Sequence, residues 1–260
     1  MSGLWLAARV ASKLVQGWRV SETAYRRADP LERREIVRRW SRELLQRVGM
    51  EVEAIGFPSE AERRPATVVA NHISWTDIFA LNSVCACHFV AKKELRAWPL
   101  VGRLLENVGT VFIDRSDRRE TYRLGSVIRG LIEAGETVAL FPEGTTSRGR
   151  DVLKFHASLL EPAVVAGGEL WVVAIRYRDG HGALTEAPAY VEDLSLLDTL
   201  RAMARAGPIR AELHFLAAIS CRGQHRRALA AQAEGLIRSL VRRDGADQSS
   251  ASERGRRLGT

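Results

Sequence analysis

The hydrophobic pattern of this chain has two periods. In residues 30–48, Ile36, Val37, Trp40, Leu44 and Val48 recur at helical spacing, with Arg34, Arg38, Arg39 and Arg42 on the opposite face. Asp29 ahead of Pro30, followed by Glu32, supplies the start signals of that helix. Upstream, Leu4, Trp5, Leu6, Ala8, Val10, Ala11, Leu14, Val15 and Trp18 are interrupted by Arg9, Lys13 and Arg19. This spacing predicts an amphipathic helix whose tryptophans suit the headgroup level of a bilayer, or else a helix that packs on the domain. Beyond a polar connection at 56–65 the period shortens. Val68–Ala70, Phe89–Ala91, Thr110–Ile113, Thr137–Phe141, Leu170–Tyr177 and the alternating Arg210–Ala218 read as strands. Helical stretches are predicted near 77–85, 94–108 (broken at Trp98-Pro99), 121–134 and 224–241.

Strands alternating with helices predict an α/β fold with a mainly parallel central sheet flanked by helices. An N-terminal amphipathic two-helix membrane-docking motif precedes it. The expected division is 1–55 for that motif, 56–241 for the α/β domain and 242–260 for a basic tail, expected to be disordered from its polar, Ser-, Gly- and Arg-rich composition. Strand after strand ends in a polar cluster: Asn71-His72, Lys92-Lys93, Asp114-Arg115 and Glu143-Gly144-Thr145. Parallel strands would bring these ends to one edge, where open α/β sheets bind ligands.

His72 precedes Asp77 by five residues. A turn between them could fold ring and carboxylate together, so that the acid fixes the imidazole tautomer and the ring acts as a general base. The plainer alternative is that Asp77 caps the following helix and His72 is an ordinary surface histidine.

Composition narrows the partners. The 260 residues carry a formal charge of +8, which favours an anionic partner: a lipid surface, a nucleic acid or a phosphorylated small molecule. Aromatics are not interleaved with the basic residues as an RNA-binding sheet requires. Cys85, Cys87 and Cys221 match neither a zinc ligand set nor a disulfide framework, which points to a reducing compartment. No run reaches the ~18 apolar residues of a spanning helix, and a signal peptide is not expected.

Three blocks carry a resemblance. Asn71-His72-Ile73-Ser74-Trp75-Thr76-Asp77 resembles the NHxxxxD block of the glycerolipid acyltransferases, Gly109–Arg115 their second block, and Phe141-Pro142-Glu143-Gly144-Thr145-Thr146-Ser147 their third. The likeness runs from about Arg33 to Ile219. The fourth block departs from the pattern, because the proline usual there is absent from Trp171-Val172-Val173-Ala174-Ile175. The closest likeness is to bacterial lysophosphatidate acyltransferases. Phe89–Glu94, with Trp98-Pro99 and Gly102, is also similar to the lyso-ornithine lipid acyltransferases.

The resemblance implies an acyltransferase that moves a fatty acyl group from acyl-CoA or acyl-carrier protein to the hydroxyl of a lysolipid, foremost lysophosphatidate to phosphatidate. It implies no metal and no cofactor beyond the donor. His72 would be the base and Asp77 its orienting acid. Arg115 would take an acceptor phosphate with its planar fork, and Lys92 would add a point charge. Glu143 would accept hydrogen bonds from the acceptor, Gly144 would let backbone approach the ligand, and Thr145 belongs to the same binding edge. A salt bridge between Arg115 and Glu143 is the alternative for that pair. The expected location is the cytoplasmic face of the cell membrane, peripheral or monotopic. Rival readings are a lyso-ornithine lipid or other lysophospholipid acceptor, a thioesterase using His72 and Asp77 on water, a non-catalytic basic membrane-binding protein, and a nucleic-acid binder. A covalent acyl-serine is disfavoured by the lack of a G-x-S-x-G elbow. An apolar tunnel for the acyl chain is expected, at no place the sequence locates.

Overall fold

A computed structural model of the chain describes residues 3–59, 64–113, 118–191 and 194–257. Asp114 and Arg115 lie outside the described residues. In chain order the elements are α1 (Gly3–Glu22), α2 (Ala24–Arg27), α3 (Pro30–Arg47), β1 (Met50–Ile55), β2 (Ala66–Ala70), α4 (Thr76–Val84), β3 (Cys87–Lys92), a 3-10 turn (Lys93–Ala97), α5 (Val101–Asn107), β4 (Val111–Ile113), α6 (Arg118–Glu133), β5 (Thr137–Leu140), α7 (Glu161–Ala166), β6 (Glu169–Asp179), α8 (Leu196–Ala206), β7 (Ile209–Ser220) and α9 (Arg226–Arg257).

The strands form one seven-stranded sheet in the order β1-β7-β6-β2-β5-β3-β4. Every neighbouring pair is parallel except β6 and β7. Period-two alternation divides its side chains between two cores. Trp171, Val173, Ile175 and Tyr177 of β6 face α1, α3, α4 and α8. Leu170, Val172 and Ala174 face α6, α7 and α9. Both faces are therefore covered, as a largely parallel sheet requires.

The carboxyl ends of β2, β3 and β5 carry the polar clusters to one edge. The start of α3 is as the sequence predicts: Asp29 accepts the Glu32 amide at 2.9 Å and Pro30 occupies the first turn.

Three features differ from the expectations. Residues 50–55, counted with the N-terminal helices, form β1 and pair with β7; their short alternation Met50-Val52-Ala54 is interrupted by glutamates suited to an edge strand. Helix α8, not anticipated, starts with a reciprocal capping box between Ser195 and Asp198. The backbone of 242–257, expected to be disordered, continues α9. That stretch lacks proline and carries five arginines, good helix formers that extend a helix already nucleated upstream despite its Ser and Gly residues.

The N-terminal helices are integral to the fold. Leu6 and Val10 of α1 and Leu44 and Leu45 of α3 belong to the core on one face of the sheet. Lys13 of α1 is fully buried and pairs with Glu43 of α3 at 2.5 Å.

Candidate active site

The turn that carries His72 begins where β2 ends. Asn71 extends the strand ladder through its side chain: its Nδ2 donates to the Ile175 carbonyl at 3.0 Å, and its Oδ1 accepts the Ile175 amide at 2.7 Å. His72 is thereby locked against β6. The chain then doubles back into α4, and Asp77 in the first turn of that helix points back at the bend. Its Oδ2 accepts from the Ile73 amide at 2.7 Å, the Ser74 amide at 2.9 Å and His72 Nδ1 at 2.7 Å. Asp77 does not cap α4, whose N-cap residue is Trp75 with no side-chain cap; its Oδ2 instead closes the turn and orients the histidine. An ionised carboxylate only accepts, so Nδ1 carries the proton and Nε2 is left as the base.

Asp77 is fully buried while the His72 side chain keeps 18% exposure. The imidazole lies parallel to Phe141 at 4.0 Å between centroids, with an angle of 9°. The other carboxylate oxygen, Oδ1, accepts from the Tyr177 hydroxyl at 2.5 Å. Burial, and then the charge of Asp77, push that phenol well above its ordinary value and keep it a donor.

Glu143 sits differently from the expectation. It is buried at 2% exposure, and it contacts backbone: Oε1 accepts the His72 amide at 2.7 Å and Oε2 the Leu153 amide at 2.9 Å. Its carboxylate therefore clamps the loop after β5 onto the turn that carries His72. Burial pushes its pKa up to about 7, against the opposing pull of those two amides. The neighbouring Ser147 amide donates to the His72 carbonyl at 2.8 Å, so both backbone groups of His72 are held by this loop.

A cavity of about 580 Å³ opens beside the ring, within the size range of sites that take small ligands. His72, Lys92, Gly144 and Thr145 stand on its wall. Most of the lining is apolar and comes from α1, α3, α4, β3 and the segment after it, including Leu14, Val37, Trp40, Phe79, Phe89 and Leu105. Lys92, Gly144 and Thr145 are thus brought together with His72 and Asp77, Glu143 lies behind them, and Arg115 lies outside the described residues. Gly144 has φ +74°, a conformation that favours glycine.

Cys87 is a buried thiol that donates to the Cys85 carbonyl. A side-chain contact with Cys85, and then burial, hold its pKa well above the ordinary thiol value, as befits a structural residue. Among the described residues no group of three or more His, Cys, Asp or Glu could hold a metal ion.

Residues 50–178 match a protein family described as Acyltransferase. The chain is 35% identical over 198 residues to a 1-acyl-sn-glycerol-3-phosphate acyltransferase of Neisseria gonorrhoeae, covering 76% of each protein. This chain belongs to the acyltransferase family. It is also 35% identical over 209 residues to the lyso-ornithine lipid O-acyltransferase of Pseudomonas aeruginosa, covering 80% of this chain and 79% of that protein. In fold it resembles the crystal structure of the 1-acyl-sn-glycerophosphate acyltransferase PlsC from Thermotoga maritima, with a TM-score of 0.66 at 20% identity over 95% of this chain and 94% of that one. Within this family framework, His72 and Asp77 sit in the histidine–aspartate block, and Glu143 to Thr145 in the block that follows β5.

Tyr177 and Asn71 are the parts of the site that sequence reasoning passed over. Tyr177 had no local signal, being one more apolar-strand residue until its hydroxyl meets Asp77, 100 residues away in the chain. Asn71 stood in the first block, but its side-chain ladder to Ile175 becomes visible only when β2 and β6 are adjacent.

Proposed function

We propose that the protein transfers a fatty acyl group from a thioester, acyl-CoA or acyl-carrier protein, to the free hydroxyl of a lysolipid, with lysophosphatidate as first acceptor and phosphatidate as product. The observation that carries this reading is His72 Nδ1 at 2.7 Å from Asp77 beside a mainly apolar cavity of about 580 Å³. In the reaction, His72 Nε2 takes the proton of the acceptor hydroxyl as its oxygen attacks the thioester carbonyl. The carbon–sulfur bond then breaks, and the imidazolium returns the proton to the leaving thiolate. Asp77 stabilises the imidazolium between these steps.

The cavity takes the acyl chain, where each buried methylene gains about 0.8 kcal/mol. Lys92 and Arg115 attract the acceptor phosphate. No metal or bound cofactor takes part beyond the acyl donor.

The same reading includes contact with the cytoplasmic face of the membrane. Among the described residues no helix is long and apolar enough to cross a bilayer. The outer face of α1 nevertheless exposes Leu4 (66%), Trp5 (48%) and Val15 (38%), which suits shallow insertion at the headgroup level. The outer face of α3 carries Glu32, Glu35, Arg39 and Arg42 and is better solvated than buried in lipid.

The test is an acyl-transfer assay against lysophosphatidate, lyso-ornithine lipid and other lysophospholipids, with acyl-CoA and acyl-carrier protein as donors. The expected result is a new ester, with the highest kcat/KM for lysophosphatidate. Thioester hydrolysis independent of any lysolipid would instead indicate a thioesterase. A preference for lyso-ornithine lipid would favour the acceptor named for the Pseudomonas relative.

A further inference from the structure

Tyr177 enters the site from the far end of β6 and has no counterpart in the sequence of the catalytic turn itself. Among the described residues it is the only donor to Asp77 Oδ1, at 2.5 Å, while Oδ2 serves His72, Ile73 and Ser74. Its oxygen also lies 2.8 Å from Thr76 Oγ1, which in turn contacts Ser74 Oγ at 2.9 Å. We propose that Tyr177 is a positioning residue for the transfer reaction: by occupying Oδ1 it fixes the plane of the Asp77 carboxylate and tempers the pull of Oδ2 on His72 Nδ1. This role rests on His72 acting as the base.

The physical argument has three parts. Rotation of a carboxylate about its last bond is soft, so an acid held through one oxygen can pivot, whereas one held at both oxygens cannot. A fully buried carboxylate is costly unless its lone pairs are satisfied, and without Tyr177 the Oδ1 atom has no donor among the described residues. A hydrogen bond to one carboxylate oxygen draws charge from the other, so the phenol sets how strongly Asp77 holds a proton on the imidazole. Space filling alone would not need the hydroxyl, because phenylalanine has the same ring. The phenol belongs to the same core face as Trp171, Val173 and Ile175, and its polar contacts are to Asp77, Thr76 and Ser74.

Three ionisable groups converge on His72 from separate elements. Asp77 comes from α4, and Tyr177 reaches it from β6 through Asp77. Glu143 comes from the loop after β5 and binds the His72 amide. Lys92 of β3 stands on the same cavity wall. Burial raises the Glu143 pKa to about 7, so a rate profile alone would carry its protonation as well. The ring must be read directly.

The experiment is Tyr177→Phe in full-length protein labelled with 15N-histidine. The ring-nitrogen shifts of His72 are followed against pH and identified by their loss in His72→Asn. The expected result is a rise of the His72 protonation midpoint by about half a unit to one unit, because the unshielded carboxylate favours the imidazolium. Steady-state kinetics should show kcat down by roughly tenfold or more with the lysolipid KM within about twofold, and the acid limb of kcat/KM displaced upward with the midpoint. Thr76→Val, which removes a partner of the phenol and leaves Asp77 untouched, should move the midpoint the same way by less, and it decides the question if Tyr177→Phe fails to fold. A titration that superimposes on the wild type, or a loss confined to KM, would reduce Tyr177 to a space-filling role. If the wild type acylates no lysolipid, the proposed function falls, while the titration still reports whether Tyr177 governs His72 through Asp77.

Discussion

The turn that carries His72 and the hood that covers the cavity are two walls of one site, built in opposite ways. In the turn, Asp77 and Asn71 are buried and each polar atom of their side chains has a partner. Those partners come from β6, from the turn itself and from the start of α4. The hood, from Lys93 to Asn107, contributes Leu95, Val101, Leu104 and Leu105 to the cavity lining. Asn107 Nδ2 ties it to α1 by donating to Ser21 Oγ at 2.9 Å and Glu22 Oε1 at 3.0 Å, and surface ion pairs add Arg103 with Glu22 and, within the hood itself, Arg96 with Glu106. Such pairs are worth about 1 kcal/mol or less.

At the centre of the hood Leu100 has φ 62° and ψ −50°, and the Val101 amide bonds the Pro99 carbonyl at 2.6 Å. This is the rare, strained form of γ-turn, and Leu100 is the only non-glycine residue with positive φ among the described residues. Beside it Trp98 is 54% exposed. The contrast teaches that the wall carrying His72 is over-determined and the hood is not, so under the proposed function damage to the first should appear in kcat and damage to the second in stability or lipid handling.

The largest expected effect that would break this contrast is at the turn. His72→Ala should lower acyl transfer by roughly 10²–10⁴-fold or more without unfolding the protein. Steady-state kinetics with circular dichroism check this, and substantial remaining turnover would remove His72 from the base role.

Glu143→Gln tests the clamp through its pH dependence. The Glu143 pKa is raised in the folded protein, so the folded state holds its proton more tightly than the unfolded chain does. The stability this contributes is fully present below the ordinary carboxylate value and is lost as pH rises towards about 7. The stability of Glu143→Gln relative to wild type should therefore improve between pH 4 and pH 8, by no more than about 3 kcal/mol. Denaturant melts at the two pH values measure it, and a constant difference would show that burial does not perturb this acid.

In the hood, Leu100→Gly should unfold at a higher temperature than Leu100→Ala, since both remove the side chain and only glycine accepts positive φ freely, by about 1 kcal/mol. Equal melting temperatures would deny the strain. The smallest effect is expected at Lys92→Ala, a several-fold rise in KM for a phosphorylated acceptor with the acyl-donor KM little changed, as loss of one exposed point charge implies. Equal effects on both substrates would place the phosphate elsewhere.

Much of the site could be read along the chain because its parts lie in short segments. His72 and Asp77 are five residues apart, and the polar ends of β2, β3 and β5 are visible as apolar runs that stop abruptly. The start of α3 was equally plain, since Asp29, Pro30 and Glu32 act locally. β1 was missed because an edge strand with glutamates has weak alternation and is defined by its partner β7. Glu143 was recognisable as a carboxylate at a strand end, but its bonds to the amides of His72 and Leu153 come from segments the loop has to reach. The same reason applies to α1. Its periodicity gave the helix, while only the packed structure separates the face that lines the cavity, with Val10 and Leu14, from the exposed face with Leu4, Trp5 and Val15.

What the sequence determined by itself is therefore the alternation of strand and helix, the polar strand ends and the histidine–aspartate pair, all consequences of local periodicity and short spacing. The tertiary structure alone decided that Tyr177 holds the second oxygen of Asp77, that Glu143 serves backbone amides, and that an apolar cavity lies under α1, α3 and the hood. Those are contacts between distant segments, and burial and hydrogen-bond geometry select among many residues of the same type only once the sheet has brought them side by side.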